Sequence, residues 1–254
     1  MIDIHCHILP GLDDGSPSWE ESVAMAKLAA EAGTTDLVAS PHSDLQFPFD
    51  PLVTESRIAE LTEACGGVVR LHYGCDFHLH YENVQRALAE PSLYAVNHKR
   101  YVLVELSELL IVKTTDEILE RMRSAGMIPI ITHPERNSVL QHRLEKLESW
   151  VSDGCCLQVT AQSLLGRFGR KASVFSAGLL ERGLAHFVAS DGHDCRNRPP
   201  RLDEAFGWVR DRYGPRAAER LFVSNPAAVL AGEPLPPAEP DAGGPPRPWW
   251  RLWK

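Results

Sequence analysis

The sequence predicts an α/β fold in which seven parallel strands form a closed or distorted barrel. Short, nearly continuous apolar runs alternate with longer helical patterns, and this alternation indicates a parallel sheet. The chain has 254 residues, of which 44% are apolar, so it can bury a substantial core. Length and composition alone fit two small domains as well as one large domain. The alternation, taken with the length, favours one barrel over an open sheet.

Seven apolar runs are predicted as strands, because strands covered on both faces are nearly continuous in apolar residues. They are residues 2–5, 36–40, 68–74, 101–105, 128–132, 155–160 and 186–190.

The first predicted helix begins with Ser16 as its N-cap and Pro17 at its first position. It carries Glu20 and Glu21 in its opening turn and ends near Gly33. Further helices are predicted over residues 53–64, 116–125, 139–152, 172–182 and 201–213. The sequence contains no convincing internal repeat.

The composition changes after about Ala231, which predicts a barrel domain over residues 1–231 and a tail over residues 232–254. The tail is rich in Pro and Gly, so we expect it to be extended and poorly ordered. It ends in WWRLWK, and tryptophans of this kind either dock on a membrane surface or a partner, or pack on the barrel. Only three basic residues lie between Arg247 and Lys254, so any electrostatic membrane contact is predicted to be weak.

Composition also limits the class of protein. No apolar run approaches the ~20 residues needed to cross a bilayer, and the start lacks a basic segment followed by a hydrophobic one, so a cytoplasmic protein is predicted. The six cysteines form no CxxC pair, which argues against a zinc ribbon or a disulfide framework. The net charge of -8 argues against a nucleic-acid partner. Any phosphate should therefore be met locally, by metal ions or a few arginines.

Side chains able to bind metal follow the predicted strands or lie in the loop after the first strand. The carboxyl ends of parallel barrel strands converge on one face, where active sites are built. We therefore expect five imidazoles and four carboxylates to meet there. They are His5, His7, Asp14, His42, Asp76, Glu105, His133, Asp191 and His193.

A single histidine after a strand is commonly a capping or core residue, but the joint pattern indicates a metal site. Clustered carboxylates repel one another unless cations lie between them, and nine ligands exceed the needs of one ion. We therefore predict two or three metal ions. In an extended segment His5 and His7 point to the same side, so both can reach one ion. The mixed N and O ligands suit Mn, Fe or Zn, with Mn favoured by the carboxylates.

Several motifs together resemble the polymerase-and-histidinol-phosphatase (PHP) superfamily, in order over roughly residues 1–230. Within it the chain is similar to the bacterial manganese-dependent protein-tyrosine phosphatases of capsule and exopolysaccharide clusters. The motifs are MIDIHCHILPGLDDG at 1–15, SPH at 40–42, GCDFHL at 74–79, VELSE at 104–108, THPERN at 132–137, QSLLGRFG at 162–169 and SDGHDCRNRPP at 190–200.

The resemblance implies a distorted TIM-like (β/α)7 barrel that holds three divalent metal ions. It implies that His5, His7 and Asp191 hold one ion, that Glu105 and His133 hold a second, and that Asp14, His42 and His193 hold a third. Asp76 occupies the position of a carboxylate that bridges the first two ions. The family more often has Glu there, so Asp76 is a departure with a side chain one methylene shorter.

The implied reaction is hydrolysis of a phosphate monoester by in-line attack of a metal-activated water, without a covalent phosphoenzyme. Arg136 and Arg198 match arginines that contact phosphate in the family, and a guanidinium can hold two phosphate oxygens at once. Surface salt bridges are the alternative role for both. The implied substrate is a phosphotyrosine protein, a bacterial tyrosine kinase that regulates polysaccharide export.

Other functions of the same scaffold are hydrolysis of a small phosphate ester such as histidinol phosphate and exonuclease proofreading, which the acidic charge disfavours. An amidohydrolase also begins with HxH, but such enzymes often carry a carbamylated Lys on the fourth strand. That strand ends here in Glu105, and no Lys occurs between Lys27 and Lys99. A non-catalytic, metal-stabilised module that docks on a kinase is an alternative of another class.

A cysteine nucleophile is a rival mechanism, because residues 195–201 form a Cys-x5-Arg segment. Such a loop works through backbone N–H groups that point at phosphate and lower the pKa of the cysteine. Pro199 and Pro200 have no N–H to donate, so the segment is not expected to work in this way. The two glycines of LLGRFG are weak evidence for a phosphate cradle. We expect that loop to shape the rim of the pocket.

Overall fold

The computed structural model describes residues 1–107 and 110–237, which fold as a parallel barrel surrounded by helices. The nine strands in these residues are β1 Ile2–Cys6, β2 Asp36–Ala39, β3 His42–Ser43, β4 Arg70–Tyr73, β5 Asp76–His78, β6 Tyr101–Glu105, β7 Ile128–Thr132, β8 Cys156–Thr160 and β9 Phe187–Ala189.

The strands form two parallel sheets, in the orders β1-β2-β4 and β3-β5-β6-β7-β8-β9. The short strands β3 and β5 continue β2 and β4 after a break, so the barrel has seven strand positions. The ring closes between β1 and the end of β9, where Cys6 pairs with Gly192. The amide of His7 donates to the carbonyl of Gly192 at 2.8 Å, and that of Asp191 donates to His5 at 2.9 Å. The predicted distorted seven-stranded barrel is confirmed.

The breaks in the second and third strand positions were not predicted. Ser40 and Pro41 separate β2 from β3, and Gly74 and Cys75 separate β4 from β5. The amide of Asp76 donates to the carbonyl of Pro41 at 3.0 Å, which restarts the pairing. His42 and Asp76 are then direct neighbours across β3 and β5. The breaks therefore place two predicted ligands side by side.

Ten α-helical segments surround the barrel within the described ranges. They are α1 Trp19–Glu31, α2 Pro51–Ala64, α3 Tyr81–Ala89, α4 Thr115–Ser124, α5 Leu144–Ser152, α6 Ala161–Leu164, α7 Gly169–Glu181, α8 Asp203–Tyr213, α9 Pro215–Glu219 and α10 Asn225–Ala231. A π-helical turn over Arg220–Ser224 joins α9 to α10. Helices α3, α6, α9 and α10 were not predicted. None of these helices is long and apolar enough to span a membrane.

The predicted start of the first helix is wrong by two residues. Ser18 is the N-cap, and its hydroxyl accepts from the amide of Glu21 at 3.3 Å. Ser16 is buried instead, and its amide donates to the carbonyl of His7 at 3.1 Å. The chain from His7 to Ser16 must fold back on itself before the helix can begin.

The interior of the barrel is apolar below the end that carries the predicted ligands. Alternate residues of β6 divide between two cores: Tyr101 and Leu103 face the interior, and Val102 and Val104 pack against the helices. Val229 of α10 and Leu235 close the opposite end. The hydroxyl of Tyr101 donates to the carbonyl of Glu233 at 2.7 Å, which ties the chain after α10 to the barrel. The rest of the predicted tail, with its Trp-rich end, lies outside the described residues.

Gly74 packs so closely that even a methyl group would disturb the barrel. A Cβ at this position would lie 2.4 Å from Cγ1 of buried Val38. We expect Gly74→Ala to lower the free energy of unfolding by about 1–3 kcal/mol, because a stiff β-branched side chain cannot move aside cheaply. Urea unfolding measures this effect. Gly207→Ala in α8 is the control, since its Cβ meets open space and alanine favours a helix. Equal stability of the two variants would contradict the expectation.

Candidate metal centre

The nine predicted ligands converge on one end of the barrel. At the junction of β1 and β9, the Nε2 atoms of His5 and His7 lie 3.1 Å apart. Oδ1 of Asp191 lies 3.4 Å from Nε2 of His5 and 3.3 Å from Nε2 of His7. The two imidazoles of the HxH motif therefore do face the same point, and a carboxylate from the far end of the chain joins them.

A second set of contacts runs across the floor of the site. Oδ2 of Asp76 lies 3.6 Å from Nε2 of His5 and 3.2 Å from Nδ1 of His42. Oε2 of Glu105 lies 3.4 Å from Nδ1 of His42, and its Oε1 lies 3.6 Å from Nε2 of His133. Asp76 thus lies against His5, which the resemblance assigns to the first ion, and against His42, which it assigns to the third. Its place as a bridge between the first two ions stays a prediction.

A third set lies nearer the solvent. Oδ1 of Asp14 lies 3.3 Å from Nε2 of His42 and 3.5 Å from Nε2 of His193. The side chain of Asp14 is 56% exposed, whereas the two histidines are largely covered. Asp14 therefore marks the mouth of the site.

Three groups of ligand atoms are compact enough to hold an ion. They are His7, Asp14, His42 and His193; His5, His7 and Asp76; and His42, Asp76 and Glu105. Within each group the ligand atoms lie within 4.8 Å of one another. The groups share His7, His42 and Asp76, so the distribution of ligands among ions stays a prediction.

Asp76 carries the clearest sign of a missing positive charge. Its carboxylate is fully buried, and neither oxygen makes a hydrogen bond to any residue that the structure describes. Burial and the charge of Asp76 raise the pKa of Glu105 to about 8. Burial opposes protonation of His5, but Asp76 and Asp191 raise its pKa to about 9. Carboxylates this crowded need either protons or cations between them.

Two of the predicted ligands have a backbone conformation that residues other than glycine seldom adopt. His133, with φ of 33°, directly follows β7, and Asp191, with φ of 51°, lies two residues after the end of β9. Left-handed backbone in a residue other than glycine clusters at functional sites, where the surrounding structure maintains it. Here the turns are held by hydrogen bonds, from the amide of Arg136 to the carbonyl of His133 and from that of Asp191 to His5.

Asp13 and Gln158 orient the two histidines of the HxH motif. Oδ2 of Asp13 lies 2.7 Å from Nδ1 of His7 and accepts from the amide of His42 at 3.0 Å. Oε1 of Gln158, on β8, lies 2.9 Å from Nδ1 of His5. Both contacts take up Nδ1, so Nε2 of each ring faces the centre. Sequence reasoning missed Gln158, although a polar residue in the apolar run CLQVT was a signal.

Arg136 and Arg198 lie beside the ligands and both donate to Oδ2 of Asp191. The aromatic ring of Phe168 supports them, with its centroid 4.6 Å from the guanidinium carbon of Arg136 and 5.9 Å from that of Arg198. Phe168 lies in the LLGRFG loop, which was expected to shape the pocket rim. Its stacking on both arginines was not predicted, because the three residues come from three separate loops.

The loops that carry the arginines are tied by buried or turn-forming polar residues. Asn137 donates to the carbonyl of Ser107 at 3.0 Å and accepts from the amides of Val139 and Leu140. In the second loop, Oδ1 of Asp194 accepts from the amides of Arg196 and Asn197 at 2.6 and 2.5 Å. Arg136 and Arg198 are thereby held on short, closed turns.

The Cys-x5-Arg segment is not arranged as a phosphate-binding loop. Burial and the neighbouring Glu21 raise the pKa of Cys195 to about 11, so the thiol stays protonated near neutral pH. Its amide donates to Glu21 at 2.8 Å and is not free for a ligand. Arg201 makes a bidentate pair with Asp203, at 3.1 and 2.6 Å. The geometry therefore favours metal chemistry over a cysteine nucleophile.

The chain is similar to proteins of one bacterial group. A family profile described as "Capsular polysaccharide synthesis, CpsB/CapC" matches residues 1–231. The tyrosine-protein phosphatase YwqE of Bacillus subtilis is 32% identical over 223 residues, which cover 84% of this chain and 85% of the relative. The tyrosine-protein phosphatase CpsB of Streptococcus pneumoniae is 27% identical and covers 91% of this chain and 98% of its own.

A solved structure is also similar over nearly the whole chain. It comes from a study of YwqE from Bacillus subtilis and CpsB from Streptococcus pneumoniae, described as metal-dependent tyrosine phosphatases. Its TM-score is 0.87 at 29% sequence identity, and the match covers 98% of this chain and 99% of that one. The similarity therefore extends over nearly the whole chain.

The support that Asp13 gives to His7 leads to a test of metal binding. We expect Asp13→Ala to weaken Mn²⁺ binding by about 10- to 100-fold, because removing a carboxylate that orients a ligand histidine typically costs that much. Calorimetric titration of metal-stripped protein measures the affinity. Asp50→Ala is the control. Oδ1 of Asp50 accepts from the amides of Leu52 and Val53 as the N-cap of α2, so this variant should lower the stability of the protein but leave its Mn²⁺ affinity unchanged. Unchanged Mn²⁺ affinity in Asp13→Ala would contradict the role given to this residue.

Proposed function

The chain belongs to the capsular polysaccharide synthesis family CpsB/CapC, and from this premise we propose that it is a metal-dependent phosphatase that hydrolyses phosphotyrosine in proteins. The observation that carries the proposal is the convergence of nine nitrogen and oxygen ligands beside two arginines, at the end of a barrel where active sites form. This combination suits a phosphate group better than a neutral substrate.

The residues present fit a cluster of divalent ions. The oxygens of Asp76 make no hydrogen bond among the described residues, and the four crowded carboxylates call for positive charge. The predicted ligands contain no thiolate. We assign His5, His7 and Asp191 to one ion, Glu105 and His133 to a second, and Asp14, His42 and His193 to a third, with Asp76 between the first two. Mn is the favoured metal, and Fe or Zn are alternatives. Such ions supply an activated water and draw charge from the phosphate oxygens.

The protein's own side chains would bind and orient the phosphate. Arg136 and Arg198 each have several N–H groups beyond the one that contacts Asp191, and Nε of Arg198 is buried without a hydrogen-bond partner among the described residues. Phe168 packs against both guanidinium groups and restricts their motion. Less side-chain conformational entropy is therefore lost when phosphate binds. Positioning and charge stabilisation provide most of the catalysis in phosphoryl transfer.

We further propose that the physiological substrate is a bacterial tyrosine kinase that regulates capsular or exopolysaccharide synthesis, and that the protein acts in the cytoplasm. The family description names capsular polysaccharide synthesis, and two similar proteins are named tyrosine-protein phosphatases. The acidic chain gives no support for a nucleic-acid substrate.

Metal removal and replacement test the reaction class. Metal-stripped protein should be inactive, and Mn²⁺ should restore phosphate release from phosphotyrosine peptides, because the ligand cluster cannot work without cations. Phosphoserine peptides and histidinol phosphate, with Zn²⁺, Fe²⁺ or Mg²⁺ as other metals, complete the assay. Faster turnover of histidinol phosphate would indicate a small-molecule phosphatase instead.

Two further outcomes would overturn the proposal. No phosphate release from any monoester with any metal, together with tight binding to a phosphorylated kinase, would indicate a non-catalytic docking module. A Cys195→Ser variant that loses turnover, while His5→Ala retains it, would indicate a cysteine mechanism.

Arg198 and Arg136 should be needed for the reaction but not for metal loading. We expect Arg198→Lys and Arg136→Lys to lower kcat/KM by about 10²-fold, because an ammonium cannot reproduce bidentate phosphate contacts. Metal content, measured by mass spectrometry, should be unchanged. Arg167→Lys is a matched control, because Arg167 is exposed and pairs with Glu204 at 2.8 Å. Full activity in both site variants would remove the arginines from the mechanism.

A further inference from the structure

We propose that the outer surface of α7 carries a second binding site, which recognises an acidic, partly apolar segment of the phosphotyrosine protein. We refer to it as the α7 groove. It has a volume of about 490 Å³ and lies between α7 and the chain around residues 141–144. This inference rests on the proposed function for the identity of the partner, but the groove itself is independent of the metal centre.

The charge of the α7 groove is opposite to that of the whole chain. Its lining contains Arg170, Lys171 and Arg182 and no acidic residue among those that the structure describes. Arg182 pairs with the exposed Glu148 at 3.5 Å, so Arg170 and Lys171 are the cations available to a partner. Both are exposed and make no ion pair within the part of the chain that the structure describes. On a chain of net charge -8 this concentration of basic side chains favours an acidic partner.

The floor of the groove is apolar. Leu144 and Phe175 are only partly buried, and Val174 at the edge is 49% exposed. A surface that bound its partner through charge alone would not need these apolar side chains. An apolar side chain in the acidic segment would bury surface here, while its neighbours meet the basic rim.

Gly178 lines the groove. It lies in the interior of α7, where glycine destabilises a helix relative to alanine. A Cβ at this position would meet no atom within 4 Å, and its backbone does not need glycine, because its φ is not positive. Neither packing nor backbone geometry therefore explains the glycine. A side chain bound in the groove would occupy the space that the absent Cβ leaves.

The groove is within reach of the metal centre along one peptide. Helix α7 begins at Gly169, directly after Phe168, on which the two phosphate-binding arginines stack. Gly178 lies nine positions beyond Gly169 in the helix, a rise of about 14 Å. An extended peptide covers this distance in roughly four to five residues. A segment about four to six residues from the phosphotyrosine would therefore lie in the groove.

The test compares phosphotyrosine peptides that differ only in this segment. One peptide carries Glu and Leu residues four to six positions from the phosphotyrosine, on either side, and its partner carries Gln and Ser there. The Mn²⁺-loaded full chain should show a kcat/KM about tenfold higher for the acidic peptide, mainly through KM, and high salt should reduce the difference. Gly178→Leu, which fills the groove, and Lys171→Glu, which reverses its charge, should abolish the preference.

Controls separate the groove from the active site. A short aryl phosphate cannot reach the groove, so its turnover serves as the internal reference for each variant. Gly207→Leu adds the same side chain to α8, at a glycine that also faces open space, and should retain the preference. Fluorescence anisotropy with the unphosphorylated acidic peptide measures the groove alone. Its binding should be lost in Gly178→Leu.

Several results would overturn the inference. Equal kcat/KM of wild-type protein for both peptides, with no anisotropy change, would show that the groove has no such ligand. Loss of the preference in Gly207→Leu as well would indicate a general effect on the fold. Groove-dependent binding to phosphatidylglycerol vesicles, without peptide preference, would make it a membrane site. Failure of the proposed function would appear separately, as absent turnover of the short aryl phosphate.

Discussion

Four carboxylates and five imidazoles share one largely buried end of this barrel, and compensation of their charges is the constraint on which the rest of the site depends. Burial and the charge of Asp76 raise the pKa of Glu105 to about 8. The cluster of ligands therefore resists a further negative charge. Asp191 escapes this crowding because His5, His7 and two arginines surround it, and despite burial its pKa is well below the usual range. Asp76 has no such arginine. Despite burial, His5 and His42 hold its pKa well below the usual range as well, and both its oxygens lack a hydrogen bond among the described residues.

The barrel meets this constraint by separating the apolar and the ionisable layers. Tyr101 and Leu103 lie below Glu105 on the inward face of β6, and Cys156 lies below Gln158 on β8. Water is thus excluded beneath the ligands, where charge interactions are strongest. Around the ligands, Asp13 and Gln158 leave only one nitrogen of each HxH histidine facing the centre. The apolar layer and the hydrogen bonds around the ligands therefore define the site together with the ligands themselves.

The sequence could predict the barrel and the convergence of the ligands, because both follow from local patterns. The bounds predicted for the strands at 101–105 and 128–132 agree with the structure, since these strands are continuous apolar runs. The close approach of Gly74 to Val38, a residue on the neighbouring strand, could not be predicted, because nothing in the local sequence marks it. Phe168 was missed for the same reason: it stacks on arginines from two other loops. Contacts between distant parts of the chain leave no local pattern to detect.

The backbone at His133 and Asp191 explains why several ligands follow strands and do not lie within them. Inside a strand, inward side chains alternate with outward ones, so each strand places few side chains in the layer that holds the predicted ligands. A left-handed residue after the strand turns the chain back at once and directs an additional side chain towards the axis. Such a conformation costs roughly 1–2 kcal/mol per residue. The hydrogen bond from Arg136 across the turn at His133, and the one from Asp191 to His5 on β1, offset that cost. Arg136 lies three residues beyond His133 and reaches Asp191 from this turn, so one left-handed residue positions both a predicted metal ligand and a predicted phosphate-binding arginine.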